Sequence, residues 1–306
     1  MTHISQRLAG LKDGSAASPV GPLEMISFRT FAEFQNGADQ LGQEFMARRG
    51  REMALARTGG DPVRYEGQCG MCGVEASFSC DWSIFYTHPD GVKEPVWRER
   101  LVCPCGLNPR LRGALHFLLG TCGMVPASAV YLTEQTTPLF HLLKQFSDDL
   151  VGSEFLQDGT ASGATDSRGI RHEDITALSM ADESFDIIGS FEVLEHVPDY
   201  LAGLNEFYRV LKPGGHLLAT FPFRADLNRT LVRAQIGADG AVEHLLEPEF
   251  HGDPLSEDGV LCFYHFGWDI LDDLRKAGFR DARCLFYWSW EEGYLGGALP
   301  MFQAVK

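Results

Sequence analysis

The chain has 306 residues, 44% hydrophobic and 22% charged, which suits a folded globular protein with one large domain and a smaller one. The same figures exclude fibrous, collagenous and wholly disordered classes. With 26 basic against 42 acidic residues the formal charge is −16, which disfavours tracking along nucleic acid, because counterion release needs a dense basic surface.

No signal-like apolar segment opens the sequence, and no apolar run approaches the roughly 18 residues of a membrane span. The expectation is a cytoplasmic protein without membrane contact. Residues 1–26, rich in Ser, Gly and Ala, read as a flexible lead-in. Residues 27–65 read as a helical segment, because apolar residues recur at helical spacing among charges in 38–57.

Residues 66–122 form a Cys-rich element that ends in a helix. Cys69-Gly-Met-Cys72-Gly and Cys103-Pro-Cys105-Gly are two short turns, each followed by glycine. Tetrahedral zinc takes four soft ligands at about 2.3 Å, and such turns let backbone amides approach the thiolates. Cys69, Cys72, Cys103 and Cys105 are therefore the candidate ligands of a structural zinc ion. The second turn is one residue shorter than the usual spacing, which leaves Cys80 as a substitute ligand. An unmetallated thiol cluster or a redox pair stays open as an alternative. Cys122, Cys262 and Cys284 sit in apolar settings and read as core. Asn108 as N-cap and Pro109 at the first helical position start a helix directly after the turns. Arg98, Arg100, Arg110 and Arg112 flank the cysteines.

From residue 128 the pattern alternates. SAVYLT, DLVGS, GIRHED, FDIIGS and HLLATF read as strands, with helices such as TPLFHLLKQF and YLAGLNEFYRVL between some of them. This predicts an α/β fold with a parallel sheet and covering helices. Ligands of such sheets sit outside the carboxyl ends of the strands, where Glu134, Glu154, Asp174, Glu192 and Glu195 fall. The long connection 221–266 reads as a lid or substrate wall. It carries Arg224, Arg229, Arg233, His244, His251 and His265, a set suited to a hydroxylated or charged small molecule. His116 and His172 read as structural.

The stretch ITALSMADESFDIIGSFEVLEHVPDYLAGLNEFYRVLKPGGHLLATFPF, with its FDII, VLEHV and RVLKPGG series, resembles the core of class I S-adenosylmethionine-dependent methyltransferases, the type 11-like branch. The resemblance implies a Rossmann-like seven-stranded sheet over residues 128–306 with helices on both faces. The upstream cysteines resemble the small zinc-binding, ribbon-like element that precedes this core in some bacterial members. By the same resemblance Glu134 closes the first strand, Glu154 binds the ribose hydroxyls, and Asp174 with Ile175 recognises adenine. Ser190 and Phe191 would line the methionine portion of S-adenosylmethionine.

Where the family has a glycine-rich turn, this chain has Gln135-Thr136-Thr137-Pro138. Thr137 as N-cap and Pro138 still build a helix N-terminus able to hold a carboxylate, so Thr136 and Thr137 join the cofactor-binding candidates. Methyl transfer from a sulfonium needs alignment more than acid–base work, but an oxygen or nitrogen nucleophile can need a proton acceptor. His196, which closes VLEHV, is the candidate for that base, and His244, His251, His265 and Arg224 are the substrate candidates. The expected acceptor is a small molecule or glycan. The competing readings are a catalytically silent zinc-containing scaffold and, third, a nucleic-acid methyltransferase. A nicotinamide-dependent oxidoreductase is more distant, because no Gly-x-Gly-x-x-Gly follows the first strand.

Overall fold

The structure is a computed structural model that describes residues 3–15, 23–58, 60–89, 91–253 and 255–306, with the side chains of 38–41, 253 and 257 excepted. In chain order, helix α1 (His3–Lys12), strand β1 (Met25–Phe28) and helix α2 (Phe31–Thr58) come first. The Cys-rich element follows with β2 (Val63–Cys69), β3 (Val74–Cys80), β4 (Phe85–Thr87), β5 (Lys93–Pro95), the single turn α3 (Trp97–Arg100), β6 (Leu101–Val102) and α4 (Pro109–His116). The α/β core begins with β7 (Ala129–Leu132), α5 (Pro138–Phe146), β8 (Asp149–Gly152), β9 (Phe185–Phe191), α6 (Tyr200–Val210) and β10 (Leu211–Thr220). Six short strands then fill the connection: β11 (Leu231–Val232), β12 (Ala234–Ile236), β13 (Val242–His244), β14 (Phe250–Asp253), β15 (Ser256–Leu261) and β16 (Tyr264–His265). Helix α7 (Ile270–Lys276), β17 (Arg280–Ser289) and β18 (Tyr294–Val305) complete the chain.

The central sheet has seven strands in the order β1-β17-β18-β10-β9-β7-β8. The pairs β10/β9, β9/β7 and β7/β8 are parallel, whereas β1/β17, β17/β18 and β18/β10 are antiparallel. Successive side chains of a strand point to opposite faces, and β7 shows the consequence. Val130 and Leu132 join the core that holds Leu139 and Leu143 of α5 and Leu115 of α4, while Ala129 and Tyr131 join the core that holds Phe207 of α6 and Ile270 of α7. Helices therefore cover both faces, and the sheet is mixed rather than wholly parallel.

Three readings of the sequence change. The lead-in 1–26 contains a helix over 3–12 whose Ile4 and Leu8 are 1% and 2% exposed, because both side chains enter the α5-side core; residues 1–2 and 16–22 lie outside the described residues. The expected helical segment 27–65 opens on the second half of β1, which pairs with β17 in register Met25 to Tyr287 and supplies the sheet's seventh strand, and helix α2 begins at Phe31. GIRHED forms no full strand. It contributes one parallel bridge, Glu154 with His172, because the backbone of His172 bonds on its other side to Gly163 and Ala164.

The Cys-rich element does not stand apart from the core. Arg112 of α4 is 0% exposed and donates to the carbonyls of Glu292 (2.6 Å) and Gly293 (2.7 Å) in the turn between β17 and β18. Its guanidinium also lies over the rings of Phe78 and Tyr294, each 4.7 Å away. Glu52 of α2 is likewise 0% exposed and accepts from Trp288 Nε1 and the amides of Gly296 and Gly297. Among the described residues, no helix is long and apolar enough to cross a membrane.

Candidate active site

The parallel strands β7, β8 and β9 end at one edge, and the turn after β7 shows how the chain dispenses with glycine. None of residues 135–138 has a positive φ. The amides of Gln135 (2.8 Å) and Thr136 (2.9 Å) and the Thr136 hydroxyl (2.8 Å) all donate to Glu154 Oε1. The Gln135 side chain donates to the carbonyl of Gly169 and accepts from the amide of Arg171, which pins the turn from its other side. Thr137 caps α5 by accepting from the Phe140 amide at 3.2 Å, with Pro138 in the first helical position, as the sequence predicts. Glycine is needed one strand over instead. A Cβ at Gly152 would stand 2.3 Å from the Phe140 ring, so that residue allows α5 to approach β8.

Glu154 thus spends one oxygen on its own chain, and among the described residues Oε2 carries no hydrogen bond. Asp174 behaves in the same way, with Oδ1 accepting from the amide (2.9 Å) and hydroxyl (2.7 Å) of Thr176. Ile175 turns inward against Gly203 of α6 and is 7% exposed, so its side chain is core rather than an open adenine face. Phe155 is the exposed aromatic beside Glu154, at 59%, with its ring 5.5 Å from that of His172. A lone exposed Phe carries no pattern that would mark it in the sequence. Ser190 and Phe191 are 0% and 2% exposed, and Ser190 accepts from the Thr133 hydroxyl; both lie beneath the surface rather than lining it.

The Cys-rich element reaches this edge through its arginines. Arg98 pairs with Glu192 at 2.6 Å, and both Arg98 and Arg110 pair with Glu99. Glu192 follows β9 with φ of 59°, a left-handed conformation that a non-glycine residue adopts only where its surroundings hold it. Burial would raise its carboxyl, yet Arg98 and Arg110 outweigh that and bring it down to about 2. Glu134 is the contrasting case. It is buried, its Oε1 makes no hydrogen bond among the described residues, and burial pushes it up to about 7 against the pull of Arg110.

The four thiols of Cys69, Cys72, Cys103 and Cys105 lie within 4.8 Å of one another. Cys72 Sγ and Cys103 Sγ are 3.9 Å apart, close to the roughly 3.8 Å edge of a tetrahedron with 2.3 Å metal–sulfur bonds. The Cys72 amide donates to Cys69 Sγ and the Cys105 amide to Cys103 Sγ, so each turn backs one sulfur with an N–H. This donor set fits zinc. Cys80 stands outside it, at the far end of β3, where its thiol contacts the carbonyl of Asp81.

A second group of donors forms where the connection 221–266 meets the turn after β9. That connection folds as three two-stranded ribbons, β11/β16, β12/β13 and β14/β15. They bring His251 and His265 to Glu249, whose Oε1 is 3.0 Å from the Nε2 of each. Arg233 approaches the other oxygen of Glu249 at 3.1 Å. His196 Nδ1 donates to the carbonyl of Leu261 at 2.8 Å, since a carbonyl can only accept. Its Nε2 lies 3.5 Å from Glu195 Oε1, and His251 Nδ1 lies 3.7 Å from the same oxygen. Glu195 is 0% exposed, neither of its oxygens makes a hydrogen bond among the described residues, and burial pushes it up to about 7. Contacts with Cys262 and Glu195 push His251 up to about 11.

Two substrate candidates are not part of this group. His244 is exposed on the β12/β13 ribbon, and Arg224 pairs with Asp226 at the surface. Cys262 is buried as expected, but its thiol faces the carbonyl of Tyr264 beside the two histidines instead of packing among apolar groups. His172 is structural as expected, since its ring accepts from the Leu156 amide at 2.9 Å.

Residues 140–219, from within α5 to the end of β10, match the family described as Methyltransferase domain. A demethylmenaquinone methyltransferase of Staphylococcus aureus is 34% identical over 122 residues, 39% of this chain and 46% of that protein. The chain thus spans about half the length of the curated relatives it matches in this group. Among solved structures, an S-adenosylmethionine-dependent methyltransferase from Mesorhizobium loti is 17% identical, covering 64% of this chain and 100% of that one, with a TM-score of 0.37. The 1,6-didemethyltoxoflavin-N1-methyltransferase of Burkholderia thailandensis is also 17% identical, covering 64% and 78% of the two chains, with a TM-score of 0.35. Residues 140–219 of this chain are thus similar to the methyltransferase domain of a family of enzymes, and they lie in a seven-stranded mixed α/β sheet.

Proposed function

We propose that the chain is an S-adenosylmethionine-dependent methyltransferase acting on a small-molecule or glycan-type acceptor, with a structural zinc ion on Cys69, Cys72, Cys103 and Cys105. The observation that carries this reading is that the match over 140–219 contains Glu154 and Asp174, each with one carboxylate oxygen turned to its own chain and one left over. Glu154 Oε2 would accept from one ribose hydroxyl and Asp174 Oδ2 from the exocyclic amine of adenine, with Phe155 as the apolar face beside them. Thr136 acts through Glu154, as a positioning residue. The N-terminus of α5 behind Thr137 would hold the methionine carboxylate, by its free amides and dipole. The orphaned Glu134 Oε1 faces the same region and would accept from a cationic or amide donor.

Bound S-adenosylmethionine supplies the electrophilic methyl group of its sulfonium. Ser190 and Phe191, buried beneath the strand ends, would shape the floor of the site. The Arg98–Glu192 pair would cover it from the Cys-rich side and exclude water. His196, held by Leu261, would orient the acceptor. The name of the Staphylococcus relative, which carries a small-molecule acceptor, supports the acceptor class.

Incubation of the purified protein with S-adenosylmethionine and a panel of small hydroxylated and amine acceptors should release S-adenosylhomocysteine above the acceptor-free rate. Cofactor binding without turnover across the panel would favour the silent scaffold instead.

A further inference from the structure

We propose that Glu195, His196 and His251 bind one divalent transition-metal ion at the junction of the α/β core and the 221–266 connection, a site separate from the four thiols. The three ligand atoms, Glu195 Oε1, His196 Nε2 and His251 Nδ1, lie within 4.8 Å of one another. Their separations from the carboxylate, 3.5 and 3.7 Å, are too long for hydrogen bonds. They are close to the roughly 3.4 Å between ligands standing about 2.1 Å from a tetrahedral centre.

The outer contacts point the same way. His196 Nδ1 is engaged with the Leu261 carbonyl, and His251 Nε2 with Glu249, so each ring presents its opposite nitrogen toward Glu195. A carbonyl or carboxylate on the far nitrogen is the usual orienting partner of a metal-bound histidine. Glu195 supplies the independent observation, a wholly buried carboxylate with both oxygens lacking a hydrogen bond. An ion between the carboxylate and the two imidazoles would satisfy oxygens that no hydrogen bond reaches among the described residues.

The neighbouring trio Glu249, Cys262 and His265 is the weaker candidate. Glu249 is already surrounded by His251, His265 and Arg233, and the Cys262 thiol faces a carbonyl. Its members therefore serve the first site, with Glu249 orienting His251. Two imidazoles and one carboxylate suit zinc, cobalt or iron(II) better than magnesium or calcium. Three protein ligands leave a position for an outside ligand, which is the pattern of a catalytic rather than a structural ion. The His251 side, at 28% side-chain exposure, is the most open of the three. That the open position receives an acceptor oxygen, and lowers its pKa, rests on the methyltransferase reading above; the ion itself does not.

The full-length protein, purified with zinc and again with cobalt in its place, tests this by metal content per chain and by the cobalt absorption spectrum. Wild type should hold one ion more than His251→Ala and one more than Glu195→Gln, whatever the thiols hold. The cobalt lost in those variants should carry no thiolate charge-transfer band, while any thiolate band stays unchanged. Circular dichroism shows whether each variant is folded, and Glu195→Gln keeps the buried shape if His251→Ala is disordered. Equal metal content in wild type and both variants, or loss of a thiolate-type band, overturns the proposal. S-adenosylmethionine titration of the same samples reports separately on the methyltransferase reading.

Discussion

The four-thiol turns and the Glu195–His196–His251 junction are both groups of donors within 4.8 Å, yet the chain assembles them in opposite ways. The thiols come from two short turns joined by the small β2-β3-β6 sheet, so spacing along the sequence carries most of the geometry. The junction comes from a turn after β9 and from β14, a strand in a connection that folds as separate two-stranded ribbons. The first is a site written in local sequence, and the second exists only once the connection has folded back. The contrast extends to energetics. The thiols sit inside or against one of the two main cores, whereas the junction is held by a few polar contacts.

The largest expected effect breaks the first region. Cys72→Ser, or removal of metal by a chelator, should lower unfolding free energy in denaturant by about 4 kcal/mol or more, because loss of a structural metal is among the few changes of that size. An unchanged midpoint would mean the thiols need no ion. Next comes the contact that ties this region to the sheet. Arg112→Ala should cost about 3 kcal/mol, since it strips the donors from the Glu292 and Gly293 carbonyls in a buried setting. A loss below about 1 kcal/mol would show that water replaces them.

At the strand ends the comparison sharpens through pH. The folded Glu134 carboxyl is raised to about 7 from an ordinary value of 4.5, so it favours the protonated folded state. Its contribution is present in full below pH 4.5 and is lost as pH rises through 7. Glu134→Gln should therefore gain on wild type as pH rises over that window, by roughly 1–3 kcal/mol at pH 8. A constant difference across pH would assign the raised carboxyl elsewhere. The smallest effects belong to the connection's outer surface. Arg224→Ala and His244→Ala should each change stability by less than about 0.5 kcal/mol in thermal unfolding, as exposed residues away from both donor groups.

What the sequence made legible follows the same division. The Thr137–Pro138 and Asn108–Pro109 helix starts, the acids Glu134, Glu154 and Glu192 after strand ends and the cluster of four thiols are local patterns, and the structure shows each in place, whereas Asp174 follows no full strand. The role of β1 was not legible, because a four-residue strand pairing with β17 some 250 residues later leaves no local trace. GIRHED had strand composition, but competing bonds to Gly163 and Ala164 reduce it to two isolated bridges, Glu154 with His172 and Thr165 with Arg171. Likewise VLEHV displayed Glu195 and His196, while nothing in the sequence said that His251 and not His244 would face them.

The central claim, cofactor binding at the edge formed by β7, β8 and β9, is met most directly by calorimetric titration of the purified chain with S-adenosylmethionine. Wild type should bind saturably, with binding weakened about tenfold or more by Asp174→Ala and by Glu154→Ala, equivalent to about 1.4 kcal/mol or more each. No saturable binding to folded wild-type protein would contradict the claim.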